Sequence, residues 1–169
     1  FYKTVIINGR EWMAENLRVS KKDVSTDTTP MLINLQHAQT QEDWITFSHE
    51  EKKPCYCSYE NSTPEADSIY GYLYNFDAIR NNGGSFGGSG ICPKGWEIPS
   101  DDDWINLEIF LGMPDAEALE SGWRGTDEGG MLKEAGTEHW QAPNTGVTNI
   151  SGLNFRPAGI RRESPQYSL

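Results

Sequence analysis

Hydrophobic residues fall in short runs along this chain, and glycine, proline or asparagine interrupts them every few positions. The first run, Thr4-Val5-Ile6-Ile7, is β-branched, as a strand prefers. Asn8-Gly9 follows, a pair that tolerates the positive φ angles of a type I′ turn, and Arg10 to Met13 reads as a second strand. Together they predict a β-hairpin. Residues 20–30, "SKKDVSTDTTP", are polar and rich in turn formers and predict a loop. "LINLQHAQTQEDW" spaces Leu32, Leu35 and Trp44 among polar residues, which suits a short helix or an irregular crossing segment. "CYCSYE" (55–60) alternates, so it predicts a strand with Tyr56 on one face and Cys55 and Cys57 on the other. "GYLYNFDAIR" (71–80) is apolar and aromatic and predicts a buried helix or strand. The "NNGGSFGGSG" after it carries no lysine to reach a phosphate and reads as a flexible surface loop.

The sharpest helix signal lies in "GICPKGWEIPSDDDW", residues 90–104. Ser100 is an N-cap residue with an acidic partner, Asp103, at the third helical position. Trp104, Leu107, Ile109 or Phe110, and Leu111 then continue at helical spacing, and Gly112 supplies the stop. Asp101, Asp102 and Asp103 thus occupy a first turn, where carboxylates facing the helix dipole stabilise by about 0.3–1 kcal/mol each. Successive helical residues point about 100° apart, so the three do not converge on one ion. The alternating ligands and distant glutamate of a calcium loop are also missing. If calcium binds this chain, these aspartates are the candidates, but the pattern favours a structural role.

Beyond Gly112, "MPDAEALES" predicts a second short helix, and Gly129-Gly130 a turn leading into a short helix or strand. Residues 139–159 are rich in Asn, Thr and Gly and predict a long ordered loop tied by side-chain hydrogen bonds. His139 could act in catalysis only beside a nucleophile and an orienting partner, and the sequence names neither. No H-E-x-x-H stretch is present.

A length of 169 residues suits one domain with its own core. Six Trp and 17 Gly fit neither a disordered chain nor a helical bundle. A net charge of −11 repels phosphate backbones and argues against nucleic-acid binding. No apolar run is long enough to cross a bilayer. The chain opens inside a strand without a signal-peptide pattern, so a leader and upstream residues are expected outside this sequence. Cys55, Cys57 and Cys92 form no C-x-x-C pair, and His37, His49 and His139 are scattered, so no zinc spacing exists. Cys55 and Cys57, two apart on one strand face, are poorly placed to bond each other. Three free thiols and a single bridge both stay open.

Six stretches occur in order: "INGREWMAENLR", "YGYLYNFDA", "GICPKGWEIPSDDDW", "LG" at 111–112, "GGMLKEAGTEHW" and "TNISGLNFRPAGIR". In these the chain resembles the Fibrobacter succinogenes major paralogous domain family over nearly its whole length. The resemblance implies a secreted or surface-anchored protein, often a lipoprotein, of Fibrobacter or Bacteroidetes bacteria. The core from Gly95-Trp96 through Pro99-Ser100 to Trp104 is similar to that of C-type-lectin-like folds, including relatives of the formylglycine-generating enzyme. An α+β fold follows, with short helices, small antiparallel sheets and long irregular loops in a single domain over 1–169. The family pattern continues past "RRESPQYSL" into a cysteine-bearing strand, so this chain is expected to lack that C-terminal segment. The resemblance makes the missing cysteine the natural mate of Cys92, which implies that Cys92 is reduced here.

No nucleophile–base pair, metal spacing or cofactor loop is visible. The expectation is therefore a non-enzymatic, cofactor-free binding or adhesion module, which the resemblance implies lies outside the cell, held as a lipoprotein by an anchor upstream. Its partner would be a glycan or a surface protein. Trp123, Trp44, Tyr56 and Tyr59 are the candidate contacts, because they lie outside the stretches that build the fold. Trp123, between two glycines and beside Arg124, is the hardest to bury. Trp12, Trp96 and Trp104 are expected in the core. The alternatives are an enzyme on a formylglycine-generating-enzyme-like fold and a structural domain of a larger surface assembly.

Overall fold

A computed structural model describes residues 2–23, 32–59, 63–80, 90–162 and 167–168. In chain order its elements begin with β1 (Thr4–Ile7), β2 (Arg10–Met13), β3 (Lys21–Asp23), β4 (Leu32–Asn34) and β5 (Gln36–His37). Next come α1 (Gln41–Ile45), which widens into a π-helical turn over Thr46–Glu50, β6 (Cys55–Cys57), α2 (Pro64–Tyr70), β7 (Leu73–Tyr74) and α3 (Phe76–Ile79). The last are α4 (Asp101–Phe110), α5 (Asp115–Ala118), α6 (Glu128–Leu132), β8 (Ile160–Arg161) and β9 (Tyr167–Ser168). The fold is α+β, as expected. The chain forms two compact units, each built from separated segments: Phe1–Asn16 with Asp101–Pro157, and Leu17–Ser100 with Ala158–Leu169.

The first unit rests on the hairpin. β1 and β2 pair antiparallel from Thr4↔Met13 to Ile7↔Arg10. The turn has φ of 50° at Asn8 and 75° at Gly9, both in the left-handed region that a type I′ turn needs. Ile7 and Trp12 point inward and meet Leu107 of α4 and Leu153, with Trp104, Leu111 and Phe155 packed around them. The Trp12 and Trp104 rings lie 5.2 Å apart, and Phe155 meets Trp104 edge-on at 6.0 Å. Helix α4 starts directly after Ser100 and stops ahead of Gly112, as the cap and stop signals predict.

Gly129-Gly130 does not form the expected turn; both residues lie inside α6. The reason is close approach. The Gly130 carbonyl accepts hydrogen bonds from the N–H groups of Thr148 (3.0 Å) and Asn149 (3.2 Å), and a Cβ on Gly130 would run into the Gly146 carbonyl oxygen. The loop beyond is tied as predicted. Trp140 Nε1 donates to the Phe155 carbonyl at 2.9 Å, Asn144 Nδ2 to the carbonyls of Glu134 and Gly136, and Ser151 Oγ to that of Met131 at 2.8 Å.

In the second unit β6 is the middle strand of three, parallel to β5 and antiparallel to β7. Cys55 and Cys57 are fully buried on one face, with Ala38 and Trp44. Tyr56 packs from the other face on a second cluster built on Leu35, Ala78 and Ile91. The loop expected over 20–30 is corrected in part: Lys21–Asp23 is a strand paired with Leu32–Asn34, although Lys-Lys-Asp has poor strand propensity, because an apolar partner strand supplies the ladder. Residues 24–30 of that expected loop, and 81–89 of the glycine-rich one, lie outside the described residues. "LINLQHAQTQEDW" becomes two short strands and α1. A capping box starts that helix: Thr40 Oγ1 accepts from Asp43 N–H at 3.0 Å, and Asp43 Oδ2 accepts from Thr40 N–H at 2.9 Å. "GYLYNFDAIR" is strand and helix in succession, β7 and α3, joined at Asn75.

Candidate functional site

Trp123 stands clear of the first unit with a relative exposure of 106%. Its loop is nonetheless braced by three carboxylates. Arg124 donates from Nε (3.1 Å) and Nη2 (2.8 Å) to Glu108 Oε2 of α4, and from Nη1 to the Glu120 carbonyl at 3.2 Å. Gly125 N–H donates to Glu117 Oε1 at 2.8 Å. Buried Glu128 accepts at Oε2 from the N–H groups of Thr126 (2.8 Å) and Asp127 (3.2 Å). Backbone N–H groups, its own first and then that of Thr126, hold the Glu128 carboxyl below its ordinary pKa despite burial. Gly122, at φ 92°, lets the chain reverse immediately before the tryptophan. An indole is thereby presented to solvent on a fixed backbone, with the exposed Leu119 and Phe110 on neighbouring elements of the same unit.

The other three candidates lie in the second unit, and one of them is corrected. Trp44 is only 6% exposed, so its ring is closed to a ligand. Its α1 position turns it onto the cysteine face of β6, and the Arg161 guanidinium lies over its ring at 5.2 Å. Arg161 is itself buried and donates from Nε to Gln41 Oε1 at 3.3 Å. Tyr56 is half-buried and stacks flat on the exposed His37, with centroids 4.7 Å apart and planes within 2°. Tyr72 abuts Tyr56 from a tilted position at 4.6 Å. Burial, then the charges of Tyr72 and Asp67, push the Tyr56 hydroxyl above its ordinary pKa. Tyr59 is half-buried. Sequence reasoning missed His37 and Arg161. The His37–Tyr56 contact depends on the parallel β5–β6 register, which no local pattern announces.

Asp101 and Asp102 are exposed on the first turn of α4, and Asp103 is ion-paired with Arg10. Among the described residues no cluster of three His, Cys, Asp or Glu could hold a metal ion. His139 does have the orienting partner that the sequence could not name: its Nδ1 lies 2.8 Å from Glu134 Oε2, and Arg156 Nε donates to Glu134 Oε1 at 3.0 Å. Trp12 is buried in the first unit's core with half-buried Trp104 packed against it, as expected, whereas Trp96 is half-buried and belongs to none of the core clusters among the described residues. Cys55, Cys57 and Cys92 are all free thiols here. No helix among the described residues is long and apolar enough to cross a membrane.

The family model described as the Fibrobacter succinogenes major domain matches residues 5–168. No curated protein matches the chain, and no solved structure does.

Proposed function

The chain belongs to the Fibrobacter succinogenes major domain family, and from that premise we propose that it is an extracellular, surface-held binding module that recognises a glycan, without catalysing a reaction. The observation that carries this reading is Trp123, fully exposed on a loop braced by Arg124, Glu108, Glu117 and Glu128. Large aromatics held in water on a fixed backbone offer a ready contact surface. Their flat apolar face suits the C–H face of a sugar ring, and the ordering of the loop is complete before the ligand arrives. The stacked His37–Tyr56 pair offers a second aromatic surface, in the other unit. A lectin-like ancestry of the fold, and anchoring as a lipoprotein, are parts of the same proposal.

A glycan array read with wild-type protein and Trp123→Ala tests it. The substitution should weaken binding by at least about 2 kcal/mol, as for an interface hot spot. The melting temperature should stay within about 1–2 °C, as for a surface change in a chain of this size. Binding unchanged by the substitution would remove the reading. Capture of a surface protein instead of any glycan, lost in the variant, would keep Trp123 as the contact and replace the ligand class.

A further inference from the structure

A cleft of about 180 Å³ opens where the hairpin turn meets α4. Ile7, Trp12 and Leu107 are buried and form its apolar floor, while Asn8, Arg10, Asp103 and Asn106 carry its polar rim. Trp12 is only 8% exposed, and among the described residues its indole N–H meets no acceptor, but it is not a buried orphan. Asn106 spends its Nδ2 on the Asp102 carbonyl at 2.7 Å, which leaves Oδ1 as an acceptor on the rim. Beside it the Arg10–Asp103 ion pair sets a donor and an acceptor next to each other.

We propose that this cleft binds one ring of a neutral, hydroxylated ligand, a single sugar unit. The lining decides the class. An anion would meet Asp103 and the chain's net charge of −11. A cation would have to compete with Arg10 for Asp103, and an apolar group would leave Asn106 Oδ1 unmet. A hydroxyl both donates and accepts, so adjacent hydroxyls match the alternating donors and acceptors of this rim. The volume corresponds to about six waters at ~30 Å³ each, room for one small ring rather than an oligosaccharide. The choice of a sugar among hydroxylated molecules rests on the glycan reading above. The cleft and the Trp123 loop share no residue, however, so either can fail alone.

The test is a titration of ¹⁵N-labelled protein with methyl glycosides of glucose, galactose, mannose and xylose, following the indole N–H cross-peaks of Trp12 and Trp123. Contacts to the Trp104 ring assign the Trp12 peak. At least one glycoside should shift that peak saturably, while sodium sulfate and methylammonium chloride leave it in place. Asn106→Ala, at an exposed position, should weaken the affinity roughly tenfold with the rest of the spectrum unmoved. The cleft assignment is overturned if no glycoside moves the Trp12 peak, if sulfate or methylammonium moves it equally, or if Asn106→Ala binds as tightly as wild type. A shift confined to Trp123 keeps the outer loop and removes the cleft; one confined to Trp12 does the reverse.

Discussion

Asn75 is 4% exposed and its side chain makes three hydrogen bonds. Its Oδ1 accepts from the N–H groups of Cys55 (2.9 Å) and Ala78 (3.0 Å), and its Nδ2 donates to the Lys53 carbonyl at 2.8 Å. It therefore caps α3 and pins β6 with one side chain. Asn75→Ala should cost about 2–4 kcal/mol in chemical denaturation, more than the ~1 kcal/mol of an exposed cap, because buried backbone groups lose their partner. A loss within the exposed-cap range would show that water replaces the amide. Gly130→Ala makes a sharper test. Helix propensity alone predicts a gain of up to about 1 kcal/mol, but the Gly146 carbonyl leaves no room for a Cβ, so a loss of about 1–3 kcal/mol is expected. At the opening turn of α4, Asp102→Asn should leave the melting temperature unchanged, and added calcium should not raise it. A calcium-dependent rise abolished by this substitution would make the aspartates a metal site. The three aspartates could be read from sequence because a cap is a local matter. Asn75 could not, because its partners Lys53 and Cys55 lie some twenty residues upstream. Trp44 misled for the opposite reason: its place outside the stretches that build the fold suggested exposure, and only the cysteine face of β6 shows where its ring goes.

Between α6 and the long loop, Glu134 acts as the clasp. Burial works to raise its pKa, but hydrogen bonds and charge from His139 and Arg156 outweigh burial and hold the carboxyl below its ordinary value. A carboxylate with a depressed folded pKa adds stability that is fully present above its unfolded value, about 4.3, and lost as pH falls through the folded one. Wild type should therefore exceed Glu134→Gln in stability at neutral pH, and the gap should close as acid protonates the carboxylate. Denaturation of both proteins across that range checks the sign; a gap that widens in acid would contradict it. Elements with local causes were legible: the Asn8-Gly9 hairpin, the helix after Ser100, the Cys-Tyr-Cys strand and the tied loop. Elements made by distant pairing were not. β3 exists because Leu32–Asn34 lies beside it, and β5 because β6 does.

Across the whole molecule, Cys55, Cys57 and Cys92 all belong to the second unit. Burial pushes the Cys55 thiol up to about 11, and burial with Glu97 nearby does the same for Cys92. Cys57 is raised by burial as well. Few thiolates are then present near neutral pH. Native protein should react slowly with iodoacetamide, half-buried Cys92 first and the other two only on unfolding. Peptide mapping reads the order, and early labelling of Cys55 would show that the second unit opens readily. The family motifs run through both units, which is why the family could be recognised from sequence while the division could not. A motif records which residues recur, not which of them share a core.

The hairpin's dependence on α4 also bears on how the chain is made. Synthesis delivers Ile7 and Trp12 first, while Asp103, which pairs with Arg10, follows 93 residues later and Leu153 later still. For that interval the ribosome carries an apolar ribbon with no cover, a pairing that only distant sequence can complete and a ready target for wrong partners. Nascent chains arrested before α4 emerges should bind a holdase chaperone through this hairpin, and chains arrested after the first unit's last segment has emerged should release it.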